Sequence, residues 1–313
     1  MKVCFVGVGS IARRHIKNLT EICKERNMEL SIDALRRSTS VAADKMEFDN
    51  VYTNADELPN DYDIIFITNP TDFHMDMLNA LHLKSKHFFV EKPLTSLKKL
   101  TEVETFKCRE ESVYYVACPL RYTSVIQYLK SHVNLDEIVA ARCISSSYLP
   151  DWRPGADYRK TYSANKELGG GVSIDLIHEW DYIKYLLGMP KDVVYVNGRF
   201  SDLEINSEDY ASYIATYGDK VVELHLDYFG RKTIREILLF TNDDTIVGDL
   251  VNSKITYLKE GKVIEFGENR DDFQKNELRF FLDVIEGKAS NTNNLWDAYQ
   301  TLQLTQGIVS VDR

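Results

Sequence analysis

The chain begins with a β-strand pattern that runs directly into a glycine-rich turn and then into a helix. Residues 2–8 form a short apolar run with β-branched side chains, and Gly-Val-Gly-Ser-Ile-Ala occupies positions 7–12. Apolar residues then recur with helical spacing at Ile16, Leu19 and Ile22. This order constrains the fold strongly, because a strand, a tight glycine turn and a helix open the parallel sheets of α/β proteins.

The spacing inside this turn is that of a dinucleotide-binding motif. Gly7 would permit the tight turn, Gly9 would let the backbone approach a pyrophosphate, and the small Ala12 would let the helix pack on the strand. The helix starts at Ser10 and Ile11, where free N–H groups and the helix dipole favour phosphate. The motif therefore predicts a nucleotide cofactor. The alternative is a strand–glycine–helix turn that binds nothing.

The first part of the chain alternates strand and helix patterns. Strands are predicted at 29–35, 63–68, 87–90 and 113–118, and helices at 72–83 and 96–111. The run at 63–68 is continuously apolar, as in strands that are buried on both faces of a parallel sheet. We predict a doubly wound parallel sheet in a first domain of residues 1–120.

Beyond residue 120 the pattern changes to period-two alternation, most clearly at 222–228. Further strands are predicted at 138–148, 193–200, 209–217, 234–241, 254–258 and 262–266, and helices at 173–187, 273–286 and 295–310. Strands in one block with helices around them describe an α+β domain, here residues 121–313. If one face of this long antiparallel sheet is apolar, we expect a homodimer or homotetramer.

Composition excludes several classes of function. The chain has 48 acidic and 38 basic residues, and its net charge of -10 opposes nucleic acid as a partner. Its five cysteines are odd in number and widely spaced, which is typical of reduced, mostly buried thiols and does not predict a metal site. No segment reaches the roughly 18 apolar residues of a membrane span, so we expect a cytoplasmic protein without a membrane partner.

Polar and turn-forming residues follow two of the predicted strands. They are Thr68, Asn69, Pro70, His74, Glu91 and Lys92. Open parallel sheets bind ligands at the carboxyl ends of their strands, so we expect these residues beside the cofactor. His74 is equally well explained as a residue of the first helical turn. For Lys92 the alternative is a surface lysine before a turn-forming proline.

The tip of the second strand bears on cofactor choice. Asp33 lies near the offset at which NAD-specific folds place an acid, but strand periodicity leaves it inside the strand. Arg36, Arg37 and Ser38 occupy the tip, and guanidinium and hydroxyl groups form a good phosphate site. The sequence therefore favours NADP(H). NAD(H), with Asp33 on the ribose, remains the alternative.

Residues 148–163 lack helical or strand periodicity and combine aromatic, proline and charged residues. Structured loops of this length are commonly functional. Candidate substrate-binding residues here are Trp152, Arg153, Tyr158 and Tyr162, and Arg121 is a further candidate outside the loop. Arginine and aromatic side chains suit carboxylates, phosphates and sugar faces. The alternative is a structural loop or an oligomer contact.

Four ordered motifs make the chain resemble the Gfo/Idh/MocA family of nicotinamide-dependent sugar oxidoreductases. They are Gly7-x-Gly9-x-x-Ala12, then Thr68-x-Pro70-x-x-x-His74, then Glu91-Lys92-Pro93, and finally Gly-Gly-Gly at 169–171 leading into Asp175 and His178. The resemblance covers essentially the whole chain. It implies an α/β Rossmann domain with a doubly wound parallel sheet, followed by an α+β domain with a large, mostly antiparallel open sheet.

The resemblance also implies catalytic roles. Lys92 would contact nicotinamide and substrate, and Asp175 and His178 would lie beside the reacting carbon. One departure concerns the base: the family usually has three residues between this Asp and His, whereas this chain has two and carries Glu179 at the usual position. Residues three and four apart share a helix face, so both His178 and Glu179 are candidates.

These residue types fit alcohol oxidation. Histidine, with an ordinary pKa near ~6.5, can accept a hydroxyl proton around neutral pH. Lys92 could polarise the oxygen or relay its proton, and Asp175 could hold a substrate hydroxyl or orient the imidazole. The structural alternative is that Asp175 caps or pairs locally and that His178 is an ordinary buried histidine.

We therefore expect an NAD(P)-dependent oxidoreductase acting on a secondary alcohol or ketone of a sugar. The loop at 148–163 looks similar to a branch of the family linked to bacterial surface-sugar biosynthesis, which suggests an acidic or nucleotide-linked sugar. Two alternatives stay open. One is a cofactor-binding regulator or scaffold without turnover, and the other is a lyase or glycosidase that uses NAD for transient oxidation.

Overall fold

The computed structural model describes residues 1–37 and 48–309, which form two compact units. Unit 1 contains residues 1–117 and 274–299, and unit 2 contains residues 118–273 together with those after Tyr299. The sequence prediction, with its single boundary at 120, differs in the segment 274–299. The helical pattern of this segment indicates that one of its faces is apolar and buried. The pattern does not indicate which of the two sheets that face covers.

Unit 1 is built around a parallel sheet. Its elements before residue 118 are β1 (Lys2–Val6), α1 (Ser10–Glu25), β2 (Ser31–Leu35), β3 (Asn50–Tyr52), β4 (Tyr62–Ile67), α2 (His74–Leu81), β5 (Ser85–Val90), α3 (Leu100–Thr105) and β6 (Tyr114–Val116). The strand order is β3-β2-β1-β4-β5-β6, with every pair parallel. This confirms the predicted doubly wound sheet.

Aromatic side chains form much of the interior of unit 1. The rings of Phe5 and Phe66 stack with centroids 4.4 Å apart, and Phe89 lies 5.2 Å from Phe66. Phe281, from the returning segment, packs edge-on against Phe89 at 5.3 Å. This contact explains why residues 274–299 belong to unit 1, since burial of aromatic surface stabilises the position of their helix on this sheet.

Unit 2 and the C-terminal segment contain α4 (Ser124–His132), β7 (Ile138–Tyr148), α5 (Val172–Asp175), α6 (His178–Leu187), β8 (Asp192–Gly198), β9 (Tyr210–Thr216), β10 (Val221–Asp227), β11 (Phe229–Thr241), β12 (Thr245–Asp249), β13 (Lys254–Tyr257), β14 (Lys262–Glu265), α7 (Arg270–Ile285) and α8 (Leu295–Leu304). The strand order is β14-β13-β12-β11-β7-β10-β9-β8. Only the pair of β10 and β7 is parallel among these described strands, which confirms the mostly antiparallel sheet.

Three features of unit 2 differ from the sequence prediction. The helix predicted at 173–187 is interrupted, because α5 ends at Asp175 and α6 begins at His178. Strand β11 starts at Phe229 rather than 234, with a register shift between Phe229 and Ile234. The elements α4 and β12 were not predicted, and both are short.

Alternating side chains divide the unit 2 sheet into a buried and an exposed face. On β10, Val222, Leu224 and Leu226 are buried, and their neighbours Val221 and Glu223 are exposed. The buried face belongs to one apolar core with residues of α4, α5 and α6. Of the five cysteines, only Cys108 is exposed, and none of them forms a disulfide. No helix within 1–37 and 48–309 is long and apolar enough to span a bilayer.

Candidate active site

The glycine turn of unit 1 has the geometry that its sequence predicts. Gly7 adopts a φ of 83°, and a Cβ there would lie 2.7 Å from Asn69 Cα, so a side chain would be both strained and crowded. A Cβ on Gly9, by contrast, would meet no atom of the described structure within 4 Å. Gly7 therefore shapes the turn, and Gly9 leaves open space beside it.

The start of α1 fits a phosphate group. Gly9 is its N-cap residue and offers no side-chain oxygen, and its first turn in the described structure contains no acidic residue. The N–H groups of Ser10 and Ile11 thus head a helix whose dipole favours an anion. In addition, the buried Asn69 Oδ1 accepts no hydrogen bond from the described residues. These three observations fit a dinucleotide cofactor.

The loop after β4 is tied to the glycine turn. Thr68 Oγ1 donates to the carbonyl oxygens of Val6, at 3.0 Å, and Gly7, at 2.7 Å. His74, at the start of α2, is 1% exposed, and its ring bridges two loops. Nε2 lies 2.9 Å from the Asn69 carbonyl oxygen, and Nδ1 lies 3.0 Å from that of Pro93. His74 is therefore placed to hold the loops together.

The loop that carries Lys92 is anchored by a buried contact between a histidine and a glutamate. His15 Nε2, from α1, lies 2.5 Å from Glu91 Oε1, and the Lys92 backbone N–H donates to Glu91 Oε2 at 3.1 Å. Burial alone would raise the pKa of Glu91, but the hydrogen bond and charge of His15 and the charge of Lys92 hold it below its ordinary value. The Lys92–Pro93 peptide is cis.

His15 is not among the site residues predicted from the sequence. A signal was available, because His15 lies three residues after Ala12 and one before Ile16, on the apolar face of α1. A histidine on a buried face needs a polar partner. The sequence could not identify Glu91 as that partner, since it is 76 residues away.

The tip of β2 bears on cofactor choice. Asp33 is fully buried and accepts hydrogen bonds from Tyr62, at 2.7 Å, and Asn50, at 2.9 Å. The first residue after β2 is Arg36, whose guanidinium lies over the Phe48 ring at 6.0 Å. Arg37 is exposed, and Ser38 lies outside the described residues. Asp33 is thus engaged inside the sheet, as strand periodicity predicted.

In unit 2, the glycine triplet lets α5 approach its neighbours closely. A Cβ on Gly170 would overlap the Tyr162 carbonyl oxygen, and one on Gly171 would overlap the Glu208 carboxylate. Ser173 Oγ donates to Glu208 Oε1 at 2.6 Å just inside the helix. This close packing brings Asp175, at the end of α5, against the residues 148–163 and the sheet.

Asp175 is held by two tyrosines. Its carboxylate is 5% exposed and accepts hydrogen bonds from the hydroxyls of Tyr162 and Tyr228, the latter at 2.5 Å. Burial and the Asp175 charge raise the pKa of both phenols, so both donate their protons. Trp152 packs edge-on against Tyr228 at 5.3 Å and donates to Ser147 Oγ at 2.9 Å.

The structure therefore groups Asp175 with Tyr162 and Trp152, which the sequence proposed, and with Tyr228, which it did not. Tyr228 directly follows the alternating strand β10, so its pattern indicates burial but not its bond to a residue 53 positions earlier. Tyr158 lies at the rim of this loop, where its hydroxyl accepts from the Glu204 N–H at 3.2 Å. Arg153 is exposed, and its positive charge is close enough to Tyr162 to offset part of the rise in the pKa of that phenol.

The two candidate bases occupy different environments. His178 is the first residue of α6 and is partly exposed. Glu179 is fully buried, and its Oε1 lies 2.7 Å from Arg235 Nε. An ion-paired carboxylate without solvent access is poorly suited to exchange protons with a substrate. The surroundings of these two residues therefore favour His178 over Glu179 as the base.

Arg121 occupies a structural position. Its side chain is 2% exposed, and it donates through Nε to Asp181 Oδ2 at 2.8 Å and through Nη2 to Asp181 Oδ1 at 2.7 Å. The guanidinium also lies 5.1 Å from the centre of the Tyr185 ring. Such a buried bidentate pair fixes its own geometry and leaves little for a ligand. We therefore omit Arg121 from the proposed substrate residues.

Comparisons with known proteins agree with this architecture. The model of the oxidoreductase family with an NAD-binding Rossmann fold matches residues 1–117, and that of the GFO/IDH/MocA C-terminal domain matches residues 126–233. Levoglucosan dehydrogenase, solved in complex with NADH and levoglucosan, superposes with a TM-score of 0.82 at 15% identity, covering 98% of this chain and 95% of that one. At that identity the likeness shows a shared fold.

Two curated relatives come from Bacillus subtilis (strain 168). The uncharacterized oxidoreductase YrbE is 26% identical over 197 residues, which cover 62% of this chain and 55% of that protein. The scyllo-inositol 2-dehydrogenase (NAD(+)) is 25% identical over 203 residues, which cover 64% of this chain and 57% of that protein. The chain thus spans little more than half the length of these relatives.

Replacing the buried histidine tests the anchor of the Lys92 loop. We predict that His15→Gln lowers the free energy of unfolding by roughly 1.5–3 kcal/mol near neutral pH, because Glu91 loses its strongest partner. A depressed pKa stabilises the fold above the unfolded-state pKa of about 4.3, and this contribution fades as pH falls through the folded-state value. The deficit of the variant should therefore shrink in acid.

Urea unfolding of the protein and the variant, at neutral pH and near pH 3, measures this effect. His82→Gln is the matched control, since within residues 1–37 and 48–309 the hydrogen bond of that ring is to the exposed Asn79 carbonyl alone, and it should change stability by less than about 0.5 kcal/mol. An equal deficit at both pH values, or none at either, would contradict the role of the pair.

Proposed function

Because the chain belongs to the Gfo/Idh/MocA family of oxidoreductases, we propose that it transfers a hydride between a nicotinamide cofactor and a secondary alcohol or ketone of a sugar or sugar derivative. The observation that carries this proposal is the Asp175 carboxylate, held by two phenols three residues before the partly exposed His178. A carboxylate and an imidazole on neighbouring turns suit recognition and deprotonation of a hydroxyl.

Residues of unit 1 would hold the cofactor. The open space at Gly9 and the N–H groups of Ser10 and Ile11 suit its pyrophosphate, and the unpaired Asn69 Oδ1 supplies an acceptor. When bound, the nicotinamide accepts or returns the hydride. Glu91 would orient the backbone of Lys92 through its carboxylate.

Each polar group of the chain would have a separate task. His178 accepts the hydroxyl proton as the alcohol is oxidised and returns it in the reverse direction. The Lys92 ammonium stabilises negative charge that develops on the reacting oxygen. Asp175, fixed by Tyr162 and Tyr228, accepts a hydrogen bond from another substrate hydroxyl and so orients the ring.

The substrate class follows from the relatives and from the loop at 148–163. One relative acts on scyllo-inositol and one structural neighbour holds levoglucosan, which supports a sugar or cyclitol. Tyr162 donates to Asp175, and Trp152 packs against Tyr228, the other partner of Asp175, so both could offer aromatic surface to a sugar face. The acidic or nucleotide-linked sugar suggested by the sequence remains the alternative within this class.

We predict that Lys92→Ala lowers kcat by at least ~100-fold while the fold survives, because it removes a positioned charge from the reacting oxygen. His178→Asn should lower kcat to a similar extent. Glu179→Gln, its matched neighbour, should keep kcat within ~3-fold, since Glu179 is buried beside Arg235. Steady-state kinetics measures kcat, and far-ultraviolet circular dichroism shows whether each variant keeps its fold. A normal kcat in Lys92→Ala, or loss only in Glu179→Gln, would overturn these roles.

We further propose that the cofactor is NADP(H) rather than NAD(H). Asp33 is engaged by Tyr62 and Asn50, and Arg36 and Arg37 stand at the tip of β2. Guanidinium groups there would bind a 2′-phosphate. This assignment goes beyond the NAD-binding fold that the family model describes.

Fluorescence titration tests this cofactor preference. We predict tighter binding of NADPH than of NADH, and a loss of NADPH affinity of at least ~10-fold in Arg36→Ala with Arg37→Ala, with NADH affinity nearly unchanged. Asp33→Asn is the matched control and should leave the ratio of the two affinities unaltered. Tighter NADH binding, or unchanged NADPH affinity in the double variant, would contradict the preference.

We also propose that the protein forms a homodimer or homotetramer. Val194, Val196 and Ile214 lie on the exposed face of the unit 2 sheet and are 65%, 59% and 52% exposed. Adjacent exposed apolar side chains on a sheet favour burial against another surface. Sedimentation velocity measures the assembly, and Ile214→Glu should weaken it. A monomer at micromolar concentration would contradict the proposal.

A further inference from the structure

Arg235, on β11, is anchored at one end of its guanidinium only. Its Nε lies 2.7 Å from Glu179 Oε1 and donates to Ser145 Oγ at 3.3 Å. Glu179 is 0% exposed, whereas the Arg235 side chain is 26% exposed. Within residues 1–37 and 48–309, no group accepts a hydrogen bond from its two terminal nitrogens. The guanidinium is thus held in a fixed orientation with its forked end available to a ligand.

Strand register relates the position of Arg235 to that of Tyr228, the residue that donates to Asp175. Arg235 shares the buried face of the sheet with Ile237, because side chains alternate along a strand. Ser145 lies between Arg235 and Leu226 in register, on the same face. Tyr228, which donates to Asp175, follows Leu226 by two residues and so lies about 6.6 Å further along the strand.

Across the sheet, Arg235 and Tyr228 are separated by two strand spacings, about 9.6 Å. Above them, Asp175 and Glu179 belong to the consecutive helices α5 and α6. The end of α5 thus carries a carboxylate bonded to Tyr228, and the first turn of α6 carries a second carboxylate paired with Arg235. The Arg235 guanidinium and the Asp175 carboxylate therefore both lie between these helices and the same face of the sheet.

Local charge indicates what the guanidinium binds. The carboxylates around this face are Asp175, Glu179 and Glu208, and the nearby guanidiniums are those of Arg235 and Arg153. Negative charge is therefore in excess within unit 2. In unit 2 taken by itself, without the Lys92 ammonium of unit 1, this balance disfavours an added carboxylate or phosphate, whereas neutral hydroxyl oxygens would accept from the two terminal nitrogens without a charge penalty.

We propose that Arg235 is a substrate-binding residue that donates its terminal N–H groups to adjacent hydroxyl oxygens of an uncharged sugar or cyclitol. The proposal rests on the dehydrogenase function above and narrows its substrate class against an acidic ring. Arginine keeps its proton at all working pH values, so Arg235 positions the ring without exchanging protons. Glu179, at the position where the resemblance would place a histidine, is the residue that orients it.

The test compares Arg235→Met, Arg235→Lys and the paired variant Glu179→Met with Arg235→Met. The pair is included because Arg235→Met alone leaves a buried carboxylate without its partner and could fail to fold. Arg26→Met in unit 1 is the matched control, since Arg26 is 24% exposed and pairs with Asp283 at 2.9 Å. Each protein is assayed with NADP⁺ and NAD⁺ on myo-inositol, D-glucose, levoglucosan and D-glucuronate, and sugar binding is measured by calorimetry.

We expect the protein to prefer a neutral sugar or cyclitol over D-glucuronate. The paired variant should raise KM for that substrate by at least ~10-fold, with kcat changed by less than ~3-fold. Arg235→Lys should restore part of the affinity, because a point charge replaces the fork incompletely. Arg26→Met should match the unaltered protein. A residue with a merely structural role would not raise KM while leaving kcat nearly unchanged.

Two results would overturn the proposal, and each differs from failure of the dehydrogenase function. Unchanged KM in the paired variant would remove Arg235 from the site, and preference for D-glucuronate would contradict the uncharged substrate. If no sugar reduces either cofactor but calorimetry shows binding that the paired variant loses, the dehydrogenase function fails and the role of Arg235 in sugar binding stands. If none of the four sugars is either turned over or bound, both the dehydrogenase function and the role of Arg235 are rejected.

Discussion

The buried pair of His15 and Glu91 is the interaction on which the arrangement of unit 1 depends. It joins the helix that follows the glycine turn to the loop that carries Lys92, over 76 residues of chain. The other Glu91 oxygen accepts from the Lys92 N–H, and His74 bridges that loop to the one after β4. Since neither member of the pair can lose its partner without exposing a buried polar group to an apolar interior, the three loops are fixed as one set.

Unit 2 uses the same principle with different residues. Asp175 and Glu179 are both buried carboxylates, and each faces a group from the sheet beneath it: Asp175 accepts a hydrogen bond from Tyr228, and Glu179 forms an ion pair with Arg235. Burying two carboxylates so close together would be costly without these partners. Tyr228 and Arg235 therefore determine which surfaces of α5 and α6 face the sheet. His178, which lies between Asp175 and Glu179 in the sequence, stays partly exposed.

Local pattern was sufficient to predict the elements but not the pairs. Strand β7 coincides with its predicted range of 138–148, and β4 differs from its prediction by one residue at each end, since both have strong periodic or continuous apolar runs. His15, Tyr228 and Arg235 were not predicted as site residues, because their partners are brought close only by the fold. The compact unit to which segment 274–299 belongs depends on contacts of the same long-range kind, which a local pattern does not show. Asp33 was placed correctly inside its strand by periodicity alone.

Net hydride transfer to the cofactor is the central claim, and isotope labelling tests it most directly. The protein would be incubated with NADP⁺ or NAD⁺ and with neutral sugars and cyclitols that carry deuterium on their ring carbons, and the cofactor would be analysed by mass spectrometry. Our account predicts reduced cofactor that carries one deuterium for each ketone formed. Unlabelled cofactor with no ketone would indicate a binding protein without turnover, and altered sugar without net reduced cofactor would indicate transient oxidation. Either result would contradict it.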